Sequence, residues 1–218
     1  HALLISDAMT DNRVIPDYEY LVVDEAHHLE DATTNGLSFR VDESALRRRL
    51  ADLGGPRRGL LGGLIVAARA GAPEKGVKRL QTFAQMIADA TAAMEVHITG
   101  FFAALRQFAD DVLNGRHGDY STQIRLNDSH RTRLSFNQVQ QAWRTLSEFF
   151  DGVSAAMAQL AGALDRLKAY NLPDFDDLVT SAATAARYLD EVNERLNGFV
   201  NNTDANTIYW INLSQEAD

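Results

Sequence analysis

The chain has 218 residues, of which 45% are hydrophobic and 23% are charged, and its formal net charge at pH 7 is −9. This composition is ordinary for a globular protein, and no apolar run reaches the roughly 18 residues that a bilayer span requires, so we expect no membrane segment. The negative charge argues against a domain that grips nucleic acid by bulk charge. The absence of cysteine excludes a disulfide and a cysteine metal site within these residues.

The sequence of residues 1–35 predicts, in order, a helix, a loop, a strand and an acidic turn. The strand is the apolar run 21–23, which follows two tyrosines and is typical of a buried strand. It ends in the adjacent carboxylates of Asp24 and Glu25, with His27 two residues later. In a parallel α/β nucleotide-binding core, such a strand carries its acidic groups to the carboxyl edge of the sheet, where ligands bind.

These two carboxylates have the chemistry of an ATPase. Asp24 can hold Mg²⁺ directly or through a water, because Mg²⁺ prefers carboxylate and phosphate oxygens. Glu25 can orient and deprotonate the water that attacks a γ-phosphate. The alternative without chemistry is an acidic turn with a solvated histidine pair. A zinc hydrolase is not indicated, because adjacent His27 and His28 would point about 100° apart on a helix, whereas zinc proteases place two histidines on one helix face.

Hydrophobic periodicity predicts a helical bundle for most of the remaining chain. Apolar residues recur at three- and four-residue spacing, and glycine, proline and asparagine mark the interruptions. Asp42 is the expected N-cap of the first of these helices. The predicted helices are Glu43–Leu53, 57–70, Glu74–Leu113, 136–170 and 175–199. Strand-like alternation occurs at 122–126, and a last strand is predicted at 207–213.

Two groups of basic residues are candidates for contact with DNA. Residues 43–80 contain nine Lys or Arg and three acids, a local charge of +6. The first group lies in that stretch and consists of Arg47, Arg48, Arg49, Arg57 and Arg58. The second group lies near Tyr120, on which a base could stack, and consists of Arg125, His130, Arg131 and Arg133. The alternative for both groups is a solvated charged face.

The surroundings of the acidic pair carry a family resemblance. His1-Ala2-Leu3-Leu4 lies upstream, Tyr18-Glu19-Tyr20 leads into the apolar run, and His28-Leu29-Glu30-Asp31 continues the Asp-Glu-Ala-His box. This pattern resembles the DinG/XPD-like family of superfamily 2 DNA helicases, and most of all its bacterial DinG-type branch. Ile208-Tyr209-Trp210-Ile211 resembles the strand that re-enters the motor after the family's inserted helical Arch domain. His28 departs from the asparagine often found at its position, and we assign it no role.

The resemblance implies a mainly α fold, in which a long antiparallel helical bundle is flanked at both ends by a few strands of an incomplete P-loop α/β motor domain. Residues 1–38 would be part of motor domain 1 with the DEAH box. Residues 39–204 would be the Arch-like insertion, and residues 205–218 the strand returning to the motor. Because the chain begins inside a motif, we expect it to be a segment of a longer bacterial, cytoplasmic protein.

The implied parent is an ATP-dependent DNA helicase that translocates 5′ to 3′, with ATP and Mg²⁺ as cofactors. Asp24 would be the Mg²⁺ acid, Glu25 the catalytic base, and His27 the link between the nucleotide site and the DNA-binding lobe. The implied partners are single-stranded DNA, which the Arch helps to enclose, and the rest of the motor. No G-x-x-x-x-G-K-(S/T) loop occurs in the chain, so we expect this segment alone to be inactive.

Two questions stay open at this point. Many relatives carry a four-cysteine iron–sulfur cluster upstream of the box, so the missing cysteines do not decide whether the parent has one. The second function class is a non-enzymatic helical module that binds a protein partner and carries a vestigial box. A phosphate-binding lysine elsewhere in the full-length parent would favour the helicase.

Overall fold

The computed structural model describes residues 2–10, 13–115, 122–170, 172, 174–201 and 206–213. The chain divides into two compact units, His1–Val41 and Asp42–Asp218. The boundary therefore falls three residues after the predicted division at residue 38.

The first unit contains two short helices, α1 (Ala2–Met9) and α2 (Leu29–Leu37), and a 3₁₀ turn at Ala26–His28. Helix α1 packs against α2, where a Cβ added to Gly36 would lie 2.8 Å from Cγ2 of the buried Ile5. The first helical turn of α2 contains two carboxylates, which the positive end of a helix stabilises. The predicted acidic turn is therefore partly helical.

The strand predicted at 21–23 is wrong, because residues 21–23 have no regular structure and no described residue of this unit lies in a strand. Val22 is 93% exposed and Tyr20 is 88% exposed, so the run is not buried. The physical reason is that a strand requires a neighbour to satisfy its N–H and C=O groups. The two described strands of the chain pair with each other instead.

The second unit is a closed ring of antiparallel helices. Helix α5 (Glu74–Leu113) packs on α7 (Leu134–Leu167), and α7 packs on α8 (Phe175–Asn201). The hairpin of α3 (Glu43–Leu53) and α4 (Gly59–Arg69) lies against both α5 and α8 and closes the ring. The predicted bundle is therefore confirmed, and the bounds of α3 and α5 agree with those expected from the sequence.

Aromatic side chains fill the centre of this ring. Trp143 is 1% exposed, and its ring centroid lies 5.7 Å from that of Phe101 and 6.0 Å from that of Phe150. Its indole N–H donates to Oδ1 of Asn197 on α8, at 3.3 Å. Such aromatic pairs contribute about 0.5–1.5 kcal/mol each beyond the area that they bury. The apolar stripes predicted from the sequence therefore form a packed core.

One end of the bundle has a two-stranded antiparallel sheet of β1 (Thr122–Arg125) and β2 (Trp210–Leu213), with Ile124 opposite Ile211. The short helix α6 (Asp128–Arg131) follows β1. Strands at both ends of the chain were expected, and among the described residues only the C-terminal end has one. It pairs within the second unit, and its assignment to a motor domain stays a prediction. None of the described helices combines the length and apolar character that crossing a membrane requires.

The DEAH box and the basic residues

The DEAH box forms a tight turn that leads into α2. Glu25 has φ 51° and ψ 43°, in the left-handed region, which costs a residue with a Cβ roughly 1–2 kcal/mol. Its N–H donates to Oδ1 of Asp24 at 2.9 Å, and its carbonyl accepts from the N–H of His28 at 2.9 Å. The 3₁₀ turn Ala26–His28 follows this left-handed residue and carries the two histidines of the box.

The structure brings the Glu25 carboxylate against two imidazoles. Oε2 of Glu25 lies 3.2 Å from Nδ1 of His27, and the ring centroids of His27 and His28 are 3.9 Å apart. One ligand atom from each of the three residues lies within 4.8 Å of the others. All three side chains are exposed. The spacing argument, which placed the two histidines apart, did not anticipate this cluster.

The donor set at the box suits Mg²⁺ with a bound nucleotide. Asp24 and Glu25 are adjacent and exposed, and Mg²⁺ is usually held by one or two carboxylates together with substrate phosphates. The residues present therefore fit the implied cofactor in chemical type. Groups that bind the phosphates of ATP would have to come from outside these 218 residues, since the chain has no phosphate-binding loop motif.

Asp7 is a buried acid of the same unit to which the sequence analysis gave no role. Its side chain is 2% exposed, and Oδ1 accepts from the N–H groups of Val14 and Ile15 at 2.8 and 2.9 Å. A buried carboxylate needs such partners, so Asp7 fixes the start of the segment that leads to the box. The sequence carried no signal for its burial, because residues two apart on an α-helix, such as Ile5 and Asp7, do not share a face.

In the first basic group, Arg47 and Arg49 contact a charged or an aromatic side chain, and the other three arginines do not form an ion pair with a described residue. Arg47 forms an ion pair with Glu43 at 3.1 Å and contacts Thr99 of α5, and the Arg49 guanidinium lies 5.5 Å from the ring centroid of Tyr188. The other three arginines are exposed, and they are Arg48, Arg57 and Arg58.

Arg57 and Arg58 lie on a turn that glycines hold in shape. The turn joins α3 to α4 and contains a backbone bridge between Gly55 and Arg58. Gly54 and Gly59 have φ +69° and +67°, and a Cβ on Gly54 would lie 2.7 Å from the carbonyl carbon of Arg58. The turn therefore presents two exposed arginines from a backbone that tolerates little change.

The second basic group is largely used within the bundle. Nη1 of Arg131 donates to the carbonyls of Phe199 and Val200 at the end of α8, at 2.8 and 3.1 Å, and its guanidinium lies 5.6 Å from the ring centroid of Tyr209. Burial lowers the pKa of Arg131 from its ordinary value. This arginine therefore caps a helix and is poorly placed for a phosphate.

The other members of that group differ in their surroundings. Nη1 of Arg133 donates to the carbonyl and the carboxylate of Asp111, at 3.0 and 3.1 Å. Nδ1 of His130 is 3.0 Å from the carbonyl of Arg125, whose own side chain is exposed on β1. Tyr120, the expected stacking platform, lies outside the described residues.

Comparison of the chain with protein-family models, with curated proteins and with solved structures finds no match.

Proposed function

We propose that this chain is part of an ATP-dependent DNA helicase of the DinG/XPD-like type. It would contribute the DEAH box and a helical domain that lies beside single-stranded DNA. The observation that carries the proposal is the segment 21–25, an apolar run that leads into two carboxylates while Val22 is 93% exposed. Burying a valine or leucine side chain is worth about 1.5–3 kcal/mol. In a full-length parent, neighbouring strands of a motor domain would supply the partners that this run lacks here, bury it, and bring Asp24 and Glu25 to the edge of a sheet.

In the proposed reaction, each box residue has a separate task. Asp24 would hold the cation or one of its waters, and Glu25 would accept the proton of the water that attacks the γ-phosphate. His27, whose Nδ1 lies 3.2 Å from Oε2 of Glu25, would orient that carboxylate and link the site to the DNA-binding lobe. Bound Mg²⁺ would neutralise charge on the phosphate oxygens.

For contact with DNA, we favour the arginines that have no ion-pair or ring partner among the described residues. Arg48, Arg57 and Arg58 have no ion-pair partner among the described residues, so a phosphate would not have to displace one. Phosphate contacts of this kind position a strand without reading its sequence. The net charge of −9 indicates that such contacts would be few and local.

A second candidate is the non-enzymatic interaction module. One observation favours it: the unit Asp42–Asp218 contains nearly all the buried apolar side chains of the described chain, so the bundle has a core of its own without the box. A module of this kind would bind its partner whether or not the box is intact, whereas the helicase would not work without Glu25.

The substitution Glu25→Gln in the full-length parent tests the proposed function. The amide nearly keeps the shape of the carboxylate and cannot accept a proton, so ATP binding should persist while turnover falls by about 10²–10⁴-fold. Steady-state ATPase assays and titration with a fluorescent ATP analogue measure the two effects separately. Glu30→Gln, an exposed carboxylate in the first turn of α2, is the control and should behave as wild type. Near-normal turnover in Glu25→Gln would remove Glu25 from the catalytic role.

A further inference from the structure

We propose that Glu25, His27 and His28 form a binding site for a transition-metal dication such as Zn²⁺ or Co²⁺. This site shares Glu25 with the carboxylate pair expected to hold Mg²⁺, and it differs from that pair in its two imidazole ligands. Two imidazoles and one carboxylate form a ligand set found in zinc sites that keep an open coordination position. Mg²⁺ is bound chiefly by oxygen, so the imidazoles of this cluster select against it.

The geometry of the cluster is close to that of a coordinated metal. Ligand atoms bound at 2.0–2.2 Å to one tetrahedral ion are about 3.4 Å apart. Oε2 of Glu25 and Nδ1 of His27 are already 3.2 Å apart, and all three ligand atoms lie within 4.8 Å of one another. Because the three side chains are exposed, rotations about their side-chain bonds can close the remaining distance of up to about 1.4 Å without repacking a core.

The backbone fixes the position of Glu25 within this cluster. Glu25 is held in the left-handed region, at φ 51°, a conformation that is costly for a residue with a side chain and that clusters at ligand clamps and active sites. Within the described residues, the only ion pair of Glu25 is with His27, so no lysine or arginine competes with a cation for the carboxylate. Exposure also leaves the outer coordination positions open to water.

An effect of this metal on ATP hydrolysis rests on the proposed function. If Glu25 is the base of an ATPase, a metal bound to its carboxylate withdraws it from proton transfer, and Zn²⁺ would inhibit hydrolysis. His28 is the residue to substitute in a test, because it belongs to the metal cluster and has no part in the proposed catalytic machinery.

Titration of the untagged 218-residue chain with Co²⁺ tests the site, with the visible d–d absorption of the bound ion as the signal. The wild-type chain should give a saturable absorption that excess Mg²⁺ does not abolish. The variant His28→Asn should weaken this binding by at least about tenfold, since even a lost second-shell partner costs that much. His97→Asn removes a histidine of α5 that stacks on Phe149, and it should bind Co²⁺ as wild type does.

Three results would overturn the proposal: no saturable absorption, equal affinity in His28→Asn and wild type, or loss of the signal in His97→Asn alone. Circular dichroism of His28→Asn should match wild type, because the side chain is exposed and forms no part of a core. The assay contains no nucleotide. A parent without ATPase activity would therefore contradict the proposed function and leave the metal site standing.

Discussion

Gly54 permits the conformation of the turn between α3 and α4, because glycine has no Cβ. It ends α3 at φ +69°, a conformation that residues with a Cβ rarely adopt. The added Cβ would also press on the backbone of Arg58 across the turn. The turn that carries Arg57 and Arg58 thus depends on this glycine for its conformation.

We expect Gly54→Ala to lower the free energy of unfolding by about 1–3 kcal/mol, the cost of holding a residue in a sparsely populated backbone region. Urea denaturation followed by circular dichroism measures the change. Gly100→Ala is the matched control, because a Cβ at this position of α5 would meet no atom within 4 Å. It should stabilise the chain by about 0.5–1 kcal/mol through the better helix propensity of alanine. Equal effects of the two variants would contradict the role given to Gly54.

The sequence identifies the residues of the box and not their arrangement. Asp24 and Glu25 are adjacent in the sequence, and their residue type is enough to predict roles in holding a cation and accepting a proton. The left-handed backbone of Glu25 has no signal in the sequence, because glutamate rarely adopts it. His27 and His28 lie in the 3₁₀ turn that follows Glu25, so the contact between their rings could not be predicted from spacing on a regular α-helix.

At the scale of elements, Asp111 joins the end of α5 to the start of α7. Its carboxylate accepts from the hydroxyl of Ser135 at 2.7 Å and from Arg133 at 3.1 Å. These two hydrogen bonds, with Ser135 first, hold the pKa of Asp111 below its ordinary value of 3.8. Because the pKa is lower in the folded state, the carboxylate stabilises the fold above pH 3.8. This contribution is lost as the pH falls from there through the folded-state pKa.

Ser135→Ala should raise the pKa of Asp111 toward 3.8, because the neutral methyl group no longer donates to the charged carboxylate. NMR titration of the side-chain carboxyl carbon measures it. Ser147→Ala is the control on the same helix, since that hydroxyl donates to the carbonyl of Arg144, and it should leave Asp111 unchanged. A pKa of Asp111 that is the same in wild type and Ser135→Ala would show that the hydroxyl is not the main cause.

Helices were predicted better than strands because their signals are local. Asp42 accepts from the N–H of Ala45 at 2.8 Å and so begins α3 where an N-cap was expected. Asn114, at φ 51°, ends α5 as a left-handed C-cap. The strand at 21–23 failed because a ladder needs a neighbour that no local pattern supplies. The alternation at 122–126 succeeded because β2 lies beside it.

At the scale of the whole molecule, the two units differ in what holds them together. Among the buried apolar side chains of the described residues, only Ile5 belongs to His1–Val41. The first unit therefore depends on a small contact between α1 and α2 and on the hydrogen bonds of Asp7. The second unit has a large aromatic and aliphatic core. The assignment of the first unit to a motor domain and of the second to an Arch-like insertion stays a prediction.

A chain reduced to residues 42–218 should therefore keep the helicity of the bundle and most of its free energy of unfolding, since the described residues that it lacks include a single buried apolar side chain, Ile5. Circular dichroism and urea denaturation provide both values. The matched control is a chain of residues 1–205, which lacks β2 and with it the ring of Tyr209 over Arg131. It should be less stable, because β1 loses its only described partner strand and part of Arg131 is uncovered. If residues 42–218 lose cooperative unfolding while residues 1–205 retain it, the bundle draws its stability from the first unit and is not self-contained.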